Sequence, residues 1–295
     1  MKLKKVLATM LVGVMAVAFV GCGSKNTGDK KADTNTKTEA TDNGASSTAL
    51  KGTVVITGST SVDKIITDMS DEFQALNPDV KINYTGTGSS AGISDSAAGS
   101  NTLGVSSRDL KDEEKSDKIH TDIFAYDGIA IAVNPANTVK DITLENLAKI
   151  YSGQITNWKD LGGKDAPIVV VSREGSSGTR DAFEELTKLE DAGGLVESAT
   201  VVEGNGNAQT TVAGNENAIG YVSFSYIDKT VKELTLDGVE PTAEKAKSGE
   251  YKLSRPFLFV YNDDTVTPEA KAFIEYAKSA DGQAFVEKHG GIKLD

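Results

Sequence analysis

One cysteine, two histidines and one tryptophan occur in 295 residues, and each scarcity closes a class of mechanism. A lone cysteine excludes an internal disulfide framework. No His/Cys cluster stands at ligand spacing, so neither a metal site nor a cofactor is expected. No internal repeat occurs, and after residue 20 no apolar run reaches the roughly 20 residues of a spanning helix. Basic residues are outnumbered, 31 against 43 acidic ones, for a formal net charge of −12. That balance argues against nucleic acid as a partner.

What the chain does have begins at its first residues. Lys2, Lys4 and Lys5 precede an apolar run over 6–20 whose one polar residue is Thr9. The run ends in Phe19-Val20-Gly21-Cys22, a lipobox-like site that predicts a lipoprotein signal over 1–21, cleavage before Cys22 and acylation of its thiol. Removing the leader takes away three lysines and no acid, leaving −15. Residues 22–50 are rich in Ser, Thr, Asn, Asp, Gly and Lys and lack aromatics. Such a composition buries too little apolar surface to offset ordering, so a flexible tether is expected. A lipid, a tether and a globular body place the chain on the extracytoplasmic face of the cell membrane.

From residue 52 onward, short β-branched runs alternate with helix-like segments. Strands are expected over 52–57, 81–84, 103–106, 168–172, 200–203, 219–223 and 257–261, and helices over 62–76, 144–151, 179–186 and 207–213. Residues 119–133 read as two apolar runs broken by Asp127-Gly128, and Pro268 opens a helical tail. This alternation implies an α/β fold with mixed sheets flanked by helices. The break at Asn134-Pro135-Ala136-Asn137 divides the elements into two sets. Lobe 1 is expected over 51–134 plus 256–295 and lobe 2 over 135–255.

Ligands of such folds sit outside the carboxyl ends of strands, and three junctions there share one chemistry. Thr57-Gly58-Ser59-Thr60-Ser61 opens the first helix, Gly86-Thr87-Gly88-Ser89-Ser90-Ala91-Gly92 follows the second strand, and Arg173-Glu174-Gly175-Ser176-Ser177-Gly178-Thr179 opens the helix after 168–172. Glycine admits close backbone approach, while Ser and Thr supply caps and hydroxyls. Helix-start amides with the positive end of the dipole favour an anion. Each such end contributes roughly 0.3–1 kcal/mol, and a charged hydrogen bond from Arg173 about 1.5–3 kcal/mol. Taken together these can support micromolar binding; any one junction is equally well read as a capped helix without a ligand.

Two catalytic patterns overlap the second junction. Gly88-Ser89-Ser90-Ala91-Gly92 fits a nucleophile elbow, which makes a serine esterase acting through Ser90 the enzymatic alternative. Its base would have to be His120 or His289. Gly86-x-Gly88-x-x-Ala91 also resembles a dinucleotide fingerprint, without a convincingly placed acid downstream.

From about residue 52 to the C-terminus the chain resembles the phosphate-binding subunit of bacterial phosphate ABC importers. The resemblance rests on Asn134-Pro135-Ala136-Asn137 through Leu144, Ile150-Tyr151-Ser152-Gly153, the stretch Ile155-Thr156-Asn157-Trp158-Lys159-Asp160-Leu161-Gly162-Gly163, Arg173 through Phe183, and Ile219-Gly220-Tyr221-Val222. From the residues alone, Trp158 and its neighbours read as a surface turn packed on lobe 2. The resemblance implies a two-lobed periplasmic-binding-protein type II fold with crossover strands. It further implies a monomer that binds inorganic phosphate between its lobes and hands it to a membrane permease, without catalysis. Carried over, Thr60, Ser61, Ser89, Arg173, Ser177, Gly178 and Thr179 are the ligand contacts. Ser107 stands where other members carry an Asp, which leaves sulfate or molybdate as the alternative ligand. Arg108 is a candidate second cation, reaching the anion or pairing with Asp109 or Asp181.

Overall fold

The computed structural model describes residues 49–294. The expected leader 1–21, Cys22 and residues 23–48 of the expected tether lie outside the described residues. Strand β1 (Gly52–Gly58) buries Val54 and Ile56 at alternate positions, and α1 (Asp63–Leu76) buries Ile65, Ile66, Met69 and Phe73 along one face. A 3-10 turn, Thr60–Val62, joins them. Then come β2 (Val80–Gly86), α2 (Ser89–Ala98), β3 (Leu103–Ser106), β4 (Ile119–Val133), β5 (Asp141–Ile142), α3 (Leu144–Tyr151), β6 (Val169–Arg173), α4 (Gly178–Thr187), β7 (Thr200–Val202) and α5 (Gly204–Ala213). The remainder comprises β8 (Ala218–Ser223), β9 (Lys232–Glu233), β10 (Thr235–Leu236), α6 (Ala243–Lys247), β11 (Ser254–Asn262), α7 (Pro268–Lys278) and α8 (Ala280–Lys288).

The main sheet runs β2-β1-β3-β11-β4-β8-β6-β7, with β9 also on β4 and a separate small pair β10-β5. β1, β2 and β3 are parallel, as are β8, β6 and β7; β11 and β4 run antiparallel between these two sets. β4 is one continuous strand of 15 residues. Its residues 119–128 pair with β11 and 129–133 with β8, so it passes from one half of the sheet to the other. This corrects the reading of Asp127-Gly128 as a break. Gly128 stands there because the Phe224 ring occupies the space a Cβ would need, and Asp127 is the register partner of Arg255 on β11.

Among the described residues two large apolar cores stand out beside two smaller ones, in keeping with the two-lobed α/β architecture. One gathers Ile56, Ile66, Phe73, Phe124, Phe257, Phe259 and Phe273, with the Phe124 and Phe259 rings stacked at 4.4 Å. The other gathers Ile131, Ile150, Tyr151, Phe183, Tyr221 and Tyr251, with Phe183 and Tyr221 stacked at 4.1 Å. Trp158 packs its turn onto this second core, with Lys159 and Asp160 left exposed: Trp158 is 2% exposed, and its indole N–H donates to the Asn217 carbonyl at 2.9 Å. Two further features refine the sequence reading. The second junction opens a helix, α2, that was not among the expected helices. The C-terminal tail is two helices, because the Ser279 hydroxyl caps a new one by accepting from the Gly282 amide at 3.3 Å.

Candidate functional site

Four strand ends feed helix starts: β1 into the Thr60–Val62 turn and α1, β2 into α2 and, from strands that run the opposite way, β6 into α4 and β7 into α5. The first turn of each helix leaves amides without intrahelical partners. At α4 the Ser177 hydroxyl accepts the Arg180 amide at 3.2 Å, so the Gly178 and Thr179 amides stand at the helix mouth. Gly88, at φ 93°, takes the chain into α2, and a Cβ there would press within 2.7 Å of the Ser176 carbonyl. The Ser90 amide donates to that same carbonyl at 3.2 Å. The loops before α2 and α4 therefore meet backbone to backbone.

Ser61, Ser89, Ser107, Arg173, Ser177 and Thr179, six of the residues singled out in the sequence, are buried, none more than 1% exposed, and the structure brings them together. Ser61 Oγ lies 2.9 Å from Thr179 Oγ1. Ser107 Oγ accepts from Ser59 Oγ at 2.9 Å and lies 3.2 Å from Ser89 Oγ. A Cβ on Gly178 would overlap the Ser89 hydroxyl and come within 2.8 Å of Ser107 Oγ. Arg173 Nη2 donates to Thr60 Oγ1 at 3.2 Å.

Counting lone pairs shows what this cluster offers. A hydroxyl accepts twice and donates once. Thr60 Oγ1 already accepts from Arg173 and from the Asn205 amide nitrogen, the latter at 3.2 Å, so its own proton points elsewhere. Ser61 Oγ accepts from Asn205 Nδ2 at 3.1 Å and Arg255 Nη2 at 2.9 Å. Its proton therefore goes to Thr179 Oγ1, which frees the Thr179 proton. Protein groups use up acceptors and leave donors. Two guanidiniums sharpen the imbalance: Nη1 of Arg173 and Nη1 of Arg255 are buried and have no hydrogen-bond partner among the described residues.

Each of these arginines is held by a carboxylate on its other nitrogens. Arg173 donates to Glu174 through Nε at 2.8 Å and Nη2 at 2.7 Å. Arg255 donates to Asp127 Oδ2 through Nε at 3.1 Å and Nη2 at 2.8 Å, and Ser223 Oγ donates to Asp127 Oδ1 at 2.9 Å. Burial pushes the Asp127 carboxyl up from its ordinary value against the opposing pull of Arg255. Burial likewise lowers the Arg255 guanidinium; Asp127 opposes this and the charge of Arg173 adds to it. The two guanidiniums thus disfavour each other, and each keeps one spare donor.

Arg108 is placed differently. Its Nε donates to Asp181 Oδ2 at 2.7 Å, its Nη1 and Nη2 to the two Glu114 oxygens at 2.7 Å each, and Nη2 also to Ser90 Oγ at 3.0 Å. Nη1 further reaches the Asp109 carbonyl oxygen at 2.8 Å. Of the two roles open to it, the structure holds the pairing one. Ser90 is thus occupied by an arginine. His120 pairs with Asp263 and His289 with Asp68, each at 2.8 Å, and neither histidine is a hydrogen-bond partner of Ser90 among the described residues.

Sequence reasoning missed Ser59, Asp127, Asn205, Ser223, Ser225 and Arg255. Asn205 lies in Glu203-Gly204-Asn205-Gly206, a fourth Gly-bearing strand-to-helix junction that was legible by the same rule as the other three. Its side-chain oxygen accepts the Ser223 amide at 3.1 Å, which orients its nitrogen toward Thr60 and Ser61. Ser225 Oγ donates to the Ser61 carbonyl at 2.9 Å.

Comparison with known proteins identifies the family. Residues 43–281 match the PBP superfamily domain. The phosphate-binding protein PstS of Bacillus subtilis strain 168 is 34% identical over 288 residues, covering 96% of this chain and 91% of the relative. PstS of Borreliella burgdorferi is 33% identical over 251 residues, covering 81% and 90%. Among solved structures, one from Clostridium perfringens, assigned as a phosphate ABC transporter substrate-binding protein and holding bound phosphate, superposes with a TM-score of 0.80 at 46% identity, covering 83% of this chain and all (100%) of that one. An ABC-type phosphate transport receptor from Vibrio cholerae gives 0.70 at 38% identity, covering 82% and 100%. The chain belongs to the PBP superfamily and, within it, to the PstS family of phosphate-binding proteins.

Proposed function

We propose that this chain captures inorganic phosphate outside the cell membrane and delivers it unchanged to an ABC permease. The observation that carries the reading is the buried surplus of donors: hydroxyls whose lone pairs the protein already fills, and Arg173 with its spare Nη1 group. Phosphate oxygens accept from several such donors at once. Thr60, Ser61, Ser89, Ser107, Arg173, Ser177, Gly178 and Thr179 are the proposed contacts, and Arg108 is not among them. The names of the PstS relatives and the phosphate in the Clostridium perfringens structure support the ligand.

In this reading lobe 1 (51–134 plus 256–295) and lobe 2 (135–255) contribute opposite walls, so bound anion favours the closed arrangement. A lipid on Cys22 and the tether 22–50 keep the monomeric body near its permease. Calorimetric titration with phosphate tests the proposal: a one-to-one complex at micromolar or lower concentration is expected, and no heat at that concentration would remove it. Ser107 favours a second reading, because among the described residues its hydroxyl bonds to Ser59 and Ser89 and to no carboxylate. A tetrahedral dianion without a proton, sulfate or molybdate, then competes. Titrating sulfate against phosphate across neutral pH separates the two, since only phosphate changes its proton count there.

A further inference from the structure

We infer that Arg255 is a second guanidinium contact to the bound oxyanion, reaching it from the crossover strand β11 through Nη1; this rests on the phosphate reading above. Its side chain is 2% exposed, and that of its partner Asp127 is 0%. Nε and Nη2 are spent on Asp127, and Nη2 also reaches Ser61 Oγ at 2.9 Å, the hydroxyl that in turn touches Thr179. One face of the guanidinium fork is therefore fixed by a carboxylate and by a residue of the site itself. The remaining nitrogen is buried without a protein acceptor.

A purely structural role does not account for this arrangement. A buried ion pair that only held β4 to β11 would gain nothing by leaving one nitrogen unsatisfied, and apolar residues at the same register would serve that purpose as well. Nor would it gain by standing near a second buried cation, Arg173, that has the same deficit. An oxyanion accepting from both Nη1 groups resolves all of these costs together. Asp127 is then a positioning residue: on β4 it faces Arg255 in register, and Ser223 Oγ holds its second oxygen at 2.9 Å.

Two measurements test this. In the first, arginine is labelled with nitrogen-15 and inorganic phosphate is added. The chain has four arginines, and assigning Arg108 and Arg180 with R108K and R180K leaves two guanidinium signals, those of Arg173 and Arg255. Both should shift and sharpen on saturation while the Arg108 signal stays in place; a shift in only one of the two would overturn the inference. In the second, Asp127→Asn with Arg255→Met removes both charges at once, so neither is left unpaired. Phosphate affinity should fall about 10- to 100-fold with the melting temperature retained. Unchanged affinity in the folded double variant would overturn Arg255 as a contact while leaving the phosphate reading intact. Absence of any phosphate heat in the unmodified protein would remove the reading itself. If the double variant fails to fold, the labelling titration of the unmodified chain decides.

Discussion

Arg108 and Arg173 are both nearly buried, both stand at or just past a strand end, and both face carboxylates, yet they are built for different tasks. Every nitrogen of Arg108 has a partner, supplied by Glu114, Asp181, Ser90 and the Asp109 carbonyl. Arg173 keeps one nitrogen buried and unmatched. Burial and charge do not separate a structural arginine from a ligand-binding one; the accounting of individual donors does. In one region the hydrogen bonds close on themselves, and in the other they stop one acceptor short.

The contrast is sharpest if each arginine is removed. Arg173→Ala takes away a charged donor and leaves Glu174 with no guanidinium, so phosphate affinity should fall about 10- to 150-fold, read by calorimetry. Gly178→Ala, whose Cβ would overlap the Ser89 hydroxyl, should cost about 1–3 kcal/mol of stability and weaken binding less than Arg173→Ala does; fluorescence or calorimetric titration should show that weakening in a protein that still melts cooperatively. Asp181→Asn unpairs one side of Arg108 and should cost about 1 kcal/mol of thermal stability while changing affinity only a few-fold. If Asp181→Asn weakened binding as much as Arg173→Ala, the two regions would not be distinct.

The smallest effect concerns acid. Glu114 is itself partly desolvated, yet the hydrogen bonds from Arg108 and the Lys111 amide hold its carboxyl below the ordinary value of 4.5. A carboxylate depressed in the folded state contributes stability that is complete above the unfolded value and is lost as pH falls through the folded one. Glu114→Gln should therefore flatten the pH dependence of melting temperature below about 4.5 and leave it unchanged near neutrality. Asp127 has the opposite sign, because burial raises it. Lowering the pH relieves part of its burial cost, so no matching acid loss should come from that pair.

Much of the architecture was legible because the periodicities are local. Val54 and Ile56 alternate, Ile65, Ile66, Met69 and Phe73 share a helical face, and these patterns need no knowledge of the fold. α2 was missed because Ser89-Ser90-Ala91-Gly92 carries loop composition and little apolar periodicity; a helix forms there because Gly92 packs against the β1 backbone, with no room for a Cβ beside Gly58 Cα at 2.6 Å. The unbroken course of β4 was illegible for a different reason. An acid and a glycine in an apolar run look like a turn until Arg255, 128 residues away, supplies the countercharge and Phe224 fills the space over the glycine. The site residues seen in advance lie in the three Gly/Ser/Thr junctions, apart from Ser107 just past β3, which the resemblance supplied. Arg255 and Asp127 lie within strands, where no local pattern marks a ligand contact.

The most direct test is a crystal structure grown with phosphate. The anion should rest among Thr60, Ser61, Ser89 and Thr179, with its oxygens within about 3 Å of Nη1 of Arg173, and the Glu114–Arg108–Asp181 cluster should be undisturbed. Phosphate bound at Arg108 instead, or no phosphate among the four hydroxyls at saturating concentration, would contradict the account.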